Sequence, residues 1–161
     1  MSKSIKLQDN VYWDQSSIKH DIIKVRATVN QSKTDVGALE ITYGAVDYNI
    51  GNSFELSSGK VKVKNSNIHH VKVHSVTWVE RGGESYAWYY IRKNKTNIGT
   101  YMIPRNNNGD SWQSVAMTTI CDVTVGDLIY ASVYFNIANA NNRVAGGYYT
   151  NSVYLIVEAI D

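Results

Sequence analysis

Four histidines and fourteen acidic residues are the raw material for acid–base or metal chemistry in this chain of 161 residues. Their spacing works against both. His69 and His70 are adjacent on a strand-like stretch, so their side chains leave opposite faces and cannot share an ion. His70 and His74 share a face but lie about 13 Å apart along an extended chain. That is too far for one zinc, whose ligand bonds are about 2 Å long. No Gly-x-Ser-x-Gly elbow, His-Glu-x-x-His pair or phosphate-binding glycine loop occurs. The single cysteine, Cys121, excludes an intrachain disulfide and reads as a small buried apolar residue at a strand end. No metal or cofactor is expected, and no catalytic residue stands out. A carboxylate pair for glycan cleavage could be assembled only in space, which keeps a depolymerase as a minor alternative.

Binding chemistry is better represented. Two polar loops, Arg105 to Trp112 and Asn139 to Arg143 leading to Tyr148, mix aromatic rings with amides, carboxylates and guanidinium groups. A saccharide presents an apolar ring face to an aromatic and paired hydroxyls to such polar groups. Candidate saccharide contacts are therefore Arg105, Asn107, Asp110, Trp112, Asn141, Arg143 and Tyr148. A structural explanation competes at each loop: asparagine and glycine serve turn geometry, and Trp112 starts a strand and packs inward.

The elements that must position these loops are strands. Val, Tyr, Thr and Ile dominate, and helical spacing is nearly absent. About ten strands are expected from Ile22 to Ile160. Phe54 to Val63 reads as a tight hairpin with a positive-φ glycine. Val71 to Glu80 is expected to pair with Tyr86 to Arg92, and Trp112 to Cys121 alternates with Val115 and Met117 inward. With no helices between them, these strands pair antiparallel. The fold class is all-β, a ten-stranded antiparallel jelly-roll sandwich.

Three of the strands, Tyr86–Ile91, Leu128–Phe135 and Val153–Val157, are apolar or aromatic on both faces. A two-layer sandwich covers one face of each sheet, so their other face calls for a second cover. Another copy of the chain supplies it economically. On this reading all three belong to one inner sheet, and Trp88, Tyr90, Tyr130, Tyr134 and Tyr154 line a homotrimer interface. Trp78, on the face of His74 and Val76, is read as core or interface.

Composition sets outer limits. A domain of this length buries about 68–70% of its unfolded surface and needs no metal or disulfide to fold. The net charge of +2 is scattered and does not mark a nucleic-acid partner. Residues 1–20 are polar, with no secretory apolar core, and no run is long enough for a membrane span. They are read as an extended arm preceding a head domain over 21–161, made in the cytoplasm without a signal peptide and not inserted in a membrane.

Several segments resemble a known family. Phe54-Glu55-Leu56-Ser57-Ser58-Gly59-Lys60-Val61-Lys62-Val63 with His70-Val71-Lys72-Val73 is similar to early strands of the tumour necrosis factor and complement head-domain superfamily. Tyr86 to Asn94 resembles its central strand with a Lys-Asn turn, Val125-Gly126-Asp127 its Gly-Asp lead-in, and Val153 to Ile160 its closing strand. The resemblance implies a ten-stranded jelly roll and a compact trimer whose interface is lined by aromatics. No Gly-X-Y stalk accompanies it here. The opening residues Ile5 to Ile18 resemble tail-tip and baseplate proteins of phages and prophages of Gram-positive bacteria. That implies a non-catalytic receptor-binding head on a virion tail tip, which binds host cell-wall polysaccharide and contacts other tail or baseplate proteins through its arm. A structural virion or surface-layer subunit without ligand is the alternative.

Overall fold

In a computed structural model, residues 4–7, 11–14, 20–82, 86–104, 112–146 and 153–160 are described. Ser4–Leu7 (β1) and Val11–Asp14 (β2) pair antiparallel with each other, so this part of the arm is a hairpin. The remaining strands are Ile22–Arg26 (β3), Gln31–Ser32 (β4), Gly37–Glu40 (β5), Ala45–Ile50 (β6), Phe54–Ser57 (β7) and Lys60–Val63 (β8). They continue with His70–Glu80 (β9), Ala87–Lys93 (β10), Thr96–Ile103 (β11), Trp112–Asp122 (β12), Leu128–Phe135 (β13), Arg143–Val144 (β14) and Tyr154–Ala159 (β15).

Two antiparallel sheets form a sandwich. The major sheet has seven strands in the order β4-β14-β9-β15-β3-β6, with β12 along the other edge of β9. The minor sheet has six, in the order β11-β10-β13-β8-β7, with β5 also on β13. The expected pairing of Val71–Glu80 with Tyr86–Arg92 is not formed. Strand β9 pairs with β12, β14 and β15, while β10 pairs with β11 and β13 in the opposite sheet. Loop length alone could not distinguish a hairpin from a step between layers.

Alternation builds the core. Ile23 and Val25, then Val71, Val73 and Val79, then Leu155 and Val157 point inward from the major sheet. Phe54, Val61, Val63, Tyr89, Ile91, Ile129, Val133 and Phe135 meet them from the minor sheet. Val115 is buried and Met117 packs against this core, the inward direction expected for both. Cys121 also packs against it, and burial pushes its thiol up. Between the sheets, the Tyr89 hydroxyl donates to Ser75 Oγ, and Ser75 donates to the Tyr154 carbonyl at 3.2 Å. Burial raises the Tyr89 phenol well above its ordinary value, so it stays neutral and serves as a donor.

The hairpin from β7 to β8 has the expected geometry. Ser58 and Gly59 occupy its two-residue turn at φ 48° and 74°, the double positive-φ turn that suits strand twist. The Lys-Asn turn and the Gly-Asp lead-in are bound to each other. Asn94 Nδ2 donates to Asp127 Oδ1 at 2.8 Å, and Leu128 N–H donates to Asn94 Oδ1 at 3.0 Å. Asp127 Oδ2 accepts from Thr124 N–H at 2.9 Å. Burial pushes the Asp127 carboxyl up, but the bonds from Asn94 and Thr124 and the Lys93 charge outweigh it and hold it below 3.8.

Two outcomes test these contacts. Ser75→Ala strands the Tyr89 hydroxyl and should cost about 1–3 kcal/mol, while Ser75→Ala combined with Tyr89→Phe should cost less than the sum of the single changes. Urea denaturation of the double-mutant cycle checks this. Asp127 has a folded pKa below its unfolded one, so its stabilisation is complete above about pH 4 and is lost as pH falls through the folded value. Asp127→Asn should therefore flatten the acid limb of a melting-temperature profile and leave its neutral limb with a similar slope.

Candidate functional site

Both polar loops leave the same end of the sandwich. The buried Arg81, at the end of β9, fixes the departure of one of them. Its guanidinium donates to the Pro104 carbonyl and to Gln113 Oε1, each at 2.6 Å. The other loop departs from β14 through Gly146. A Cβ there would sit 2.0 Å from the Val29 carbonyl oxygen, so only glycine permits this approach of backbone to backbone.

Between these departures, Trp112 and Arg143 flank Glu80 in register, one from each neighbouring strand. Arg143 Nε donates to Glu80 Oε2, and its guanidinium lies 5.9 Å from the centroid of the Trp112 ring. Trp112 is half-buried and packs against the core edge. The structure thus brings the candidate contacts Trp112 and Arg143 together, and it places them in contact with each other and with Glu80. Asn141 lies in the adjoining turn, where its N–H donates to Asn139 Oδ1 at 2.9 Å. Asn142, which sequence reasoning passed over, holds that turn: its side chain bonds the Ile137 carbonyl at 2.7 Å and accepts from Gly82 N–H at 3.3 Å. Arg105, Asn107, Asp110 and Tyr148 lie outside the described residues.

The five residues expected at one homotrimer interface do not share a surface. Tyr154 is on β15 of the major sheet. Trp88, Tyr90, Tyr130 and Tyr134 are on β10 and β13 of the minor sheet and face away from it on the far side. The grouping is corrected accordingly. Tyr130 is moreover 1% exposed within one chain. The Lys60 ammonium stands 4.0 Å from its ring centroid, and its hydroxyl donates to Glu40 at 3.1 Å. Lys60 in turn holds Glu40 at 2.6 Å. The hydrogen bond from Lys60 keeps the Glu40 carboxyl below its ordinary range despite partial burial. Snorkelling charged side chains therefore cover Tyr130 on the second face of β13, a role sequence reasoning gave to another copy.

The outward face of the major sheet has a different composition. Ala116, Val76 and Tyr154 form one cross-strand row; Thr118, His74 and Ile156 form the next. Ile22, Ile120 and Trp78 extend the surface, and Ile120 is 62% exposed. At its centre is a shallow cavity of about 360 Å³ lined by Ile22, Lys72, His74, Thr118, Ile156 and Glu158. His74 Nδ1 lies 2.8 Å from Thr118 Oγ1, and its ring is tilted against Tyr154 at a centroid separation of 5.8 Å. Of these residues the sequence reading singled out Trp78, Val76, His74 and Tyr154. It included Ile156 in the two-faced run Val153–Val157 but missed Ile120, although strand alternation places it between inward-facing neighbours. Among the described residues, no group of three or more His, Cys, Asp or Glu is placed to hold a metal ion.

No protein-family profile and no curated protein matches the sequence. Solved structures do match the fold. Murine APRIL at pH 8.5 and at pH 8.0 superposes with a TM-score of 0.64 at 12% identity. The same protein at pH 5.0 gives 0.66 at 11% identity. In each case the match covers 88% of this chain and 100% of the other. At that identity the likeness concerns architecture, and the architecture is a tumour necrosis factor-like jelly roll.

Proposed function

We propose that this chain is a non-catalytic homotrimeric binding head, assembled through the outward face of its major sheet. One observation carries the reading: that face is rich in aliphatic and aromatic side chains, among them Val76, Trp78, Ile120, Tyr154 and Ile156, and among the described residues the six-stranded sheet packs against its other side only. Patches of this kind on soluble domains mark protein interfaces. The jelly-roll architecture and the family resemblance support the same assembly.

The head presents its loop end to host cell-wall polysaccharide, on the tail tip of a phage or prophage, with the N-terminal arm held by other tail proteins. The resemblance of the opening residues supports this setting, and the loops supply the aromatic and guanidinium groups. Three linked copies raise effective concentration, so weak single sites suffice. A ligand-free structural subunit is the second reading. The mutual engagement of Trp112, Arg143 and Glu80 favours it, because these groups are already partnered.

In sedimentation equilibrium at micromolar concentration, the full chain should run at three times its 18.1-kDa mass. Ile156→Asp should give monomer with unchanged far-ultraviolet dichroism. A wild-type chain that sediments only as monomer contradicts the assembly. If the trimer forms but no glycan is retained, the structural reading stands in its place.

A further inference from the structure

The charges on the outward face of the major sheet balance. Among the described residues of its strands, Lys24, Arg26, Lys72 and Arg143 stand against Asp47, Glu80, Asp122 and Glu158. Lys72 lies 3.6 Å from Glu158, and Lys24 lies 3.2 Å from Asp47, which also accepts from Arg26. Arg143 donates to Glu80, and Asp122 has His70 at 3.4 Å. Faces carrying charge of one sign repel their own copies, whereas a balanced face can meet a second copy of the same chain.

His74 stands in the middle of this face and can upset the balance. In register it lies between Ile156 of β15 and Thr118 of β12, and it lines the shallow cavity. Both ring nitrogens face hydroxyls: Nδ1 is 2.8 Å from Thr118 Oγ1 and Nε2 is 3.4 Å from Tyr154 Oη. Neither hydroxyl offers a charge to offset a proton on the ring. Around it, β9 supplies Lys72 and His70, β15 supplies Glu158 and the Tyr154 phenol, and β12 supplies Asp122 beside His70. Lys24 of β3, with Asp47 and the Tyr48 phenol of β6, lies beyond Ile156. Glu158 and Asp47 already hold lysines.

We infer that His74 makes the trimer pH-sensitive: assembly encloses the ring of each copy in its neutral form, and protonation in mild acid separates the chains. The inference rests on the proposed assembly through this face and adds its regulation. Histidine ordinarily changes charge near pH 6.5. A charged imidazole loses hydration inside an apolar contact, and like charges added to balanced faces repel. The assembled state then binds fewer protons than the separate chains. Its stability is complete above about pH 7 and is lost as pH falls below about 6.5. For three rings the association constant falls by up to about a thousandfold per pH unit. His70 behaves differently, because Asp122 is placed to accept its charge.

The test is sedimentation equilibrium of the full chain between pH 8.0 and 5.0 at constant ionic strength, with far-ultraviolet dichroism at each pH. The wild-type trimer should dissociate in the acid half of this range with its dichroism unchanged. His74→Gln, which keeps a neutral polar side chain, should stay trimeric to pH 5.0, and His70→Gln should dissociate as the wild type does. The imidazole nitrogen shifts of the wild-type trimer at pH 6.0 give a second reading, independent of any variant, and should report a neutral His74 ring. A wild-type trimer that persists undiminished to pH 5.0 overturns the switch and leaves the assembly intact. Acid dissociation retained in His74→Gln, or a charged His74 ring in the intact trimer, overturns it too. A wild-type chain that is monomeric at every pH overturns the assembly and the switch together.

Discussion

The hydrogen bond from Tyr89 to Ser75 crosses from one sheet to the other through the interior, and the rest of the structure depends on the alignment it records. Ser75 is on β9, which anchors β12, β14 and β15 around itself. Tyr89 is on β10, which joins β11 to β13. A one-residue slip of either strand would carry the hydroxyl pair out of the core and turn every outward side chain inward. The same alignment therefore decides which residues make the core and which make the two external faces.

Those external faces divide the chemistry. Strands β9, β12 and β15 put Val76, Ala116, Ile120 and Ile156 outside beside Trp78, Tyr154 and His74, with Lys72 and Glu158 paired at 3.6 Å among them. Strands β10 and β13 turn Trp88, Tyr90, Arg92 and Tyr134 outward, with Ser132 and Tyr130 buried beneath their neighbours. Trp112, Glu80 and Arg143 sit on the major sheet at the end where both polar loops cross from the minor sheet.

Much of the fold was legible in the sequence. The double-glycine-like turn at Ser58 and Gly59, the alternation of β9 and β12, and the absence of helical spacing all identified elements that the structure contains. Sheet membership was not legible. Val153 to Val157 has the same two-faced composition as Leu128 to Phe135, and local pattern cannot say that they lie in opposite layers. The cover over Tyr130 was hidden for a related reason. It comes from Lys60 and Glu40, residues that read as solvent-facing in any strand pattern and become a lid only through pairing of distant strands. At the loop end, Trp112 and Arg143 were both legible as polar-loop residues, but their meeting depends on β9 lying between β12 and β14.

The bonds that tie Asn94 to Asp127 and Leu128 lie at the end of the sandwich away from the two polar loops. One extremity of the sandwich is therefore clasped by side chains, while at the opposite extremity the polar loops leave from strand ends fixed by Arg81 and Gly146. Such a division lets the distal segments be exchanged without loosening the foundation on which they stand. Under the proposed binding role, a few substitutions at that extremity would change specificity while the framework stayed untouched.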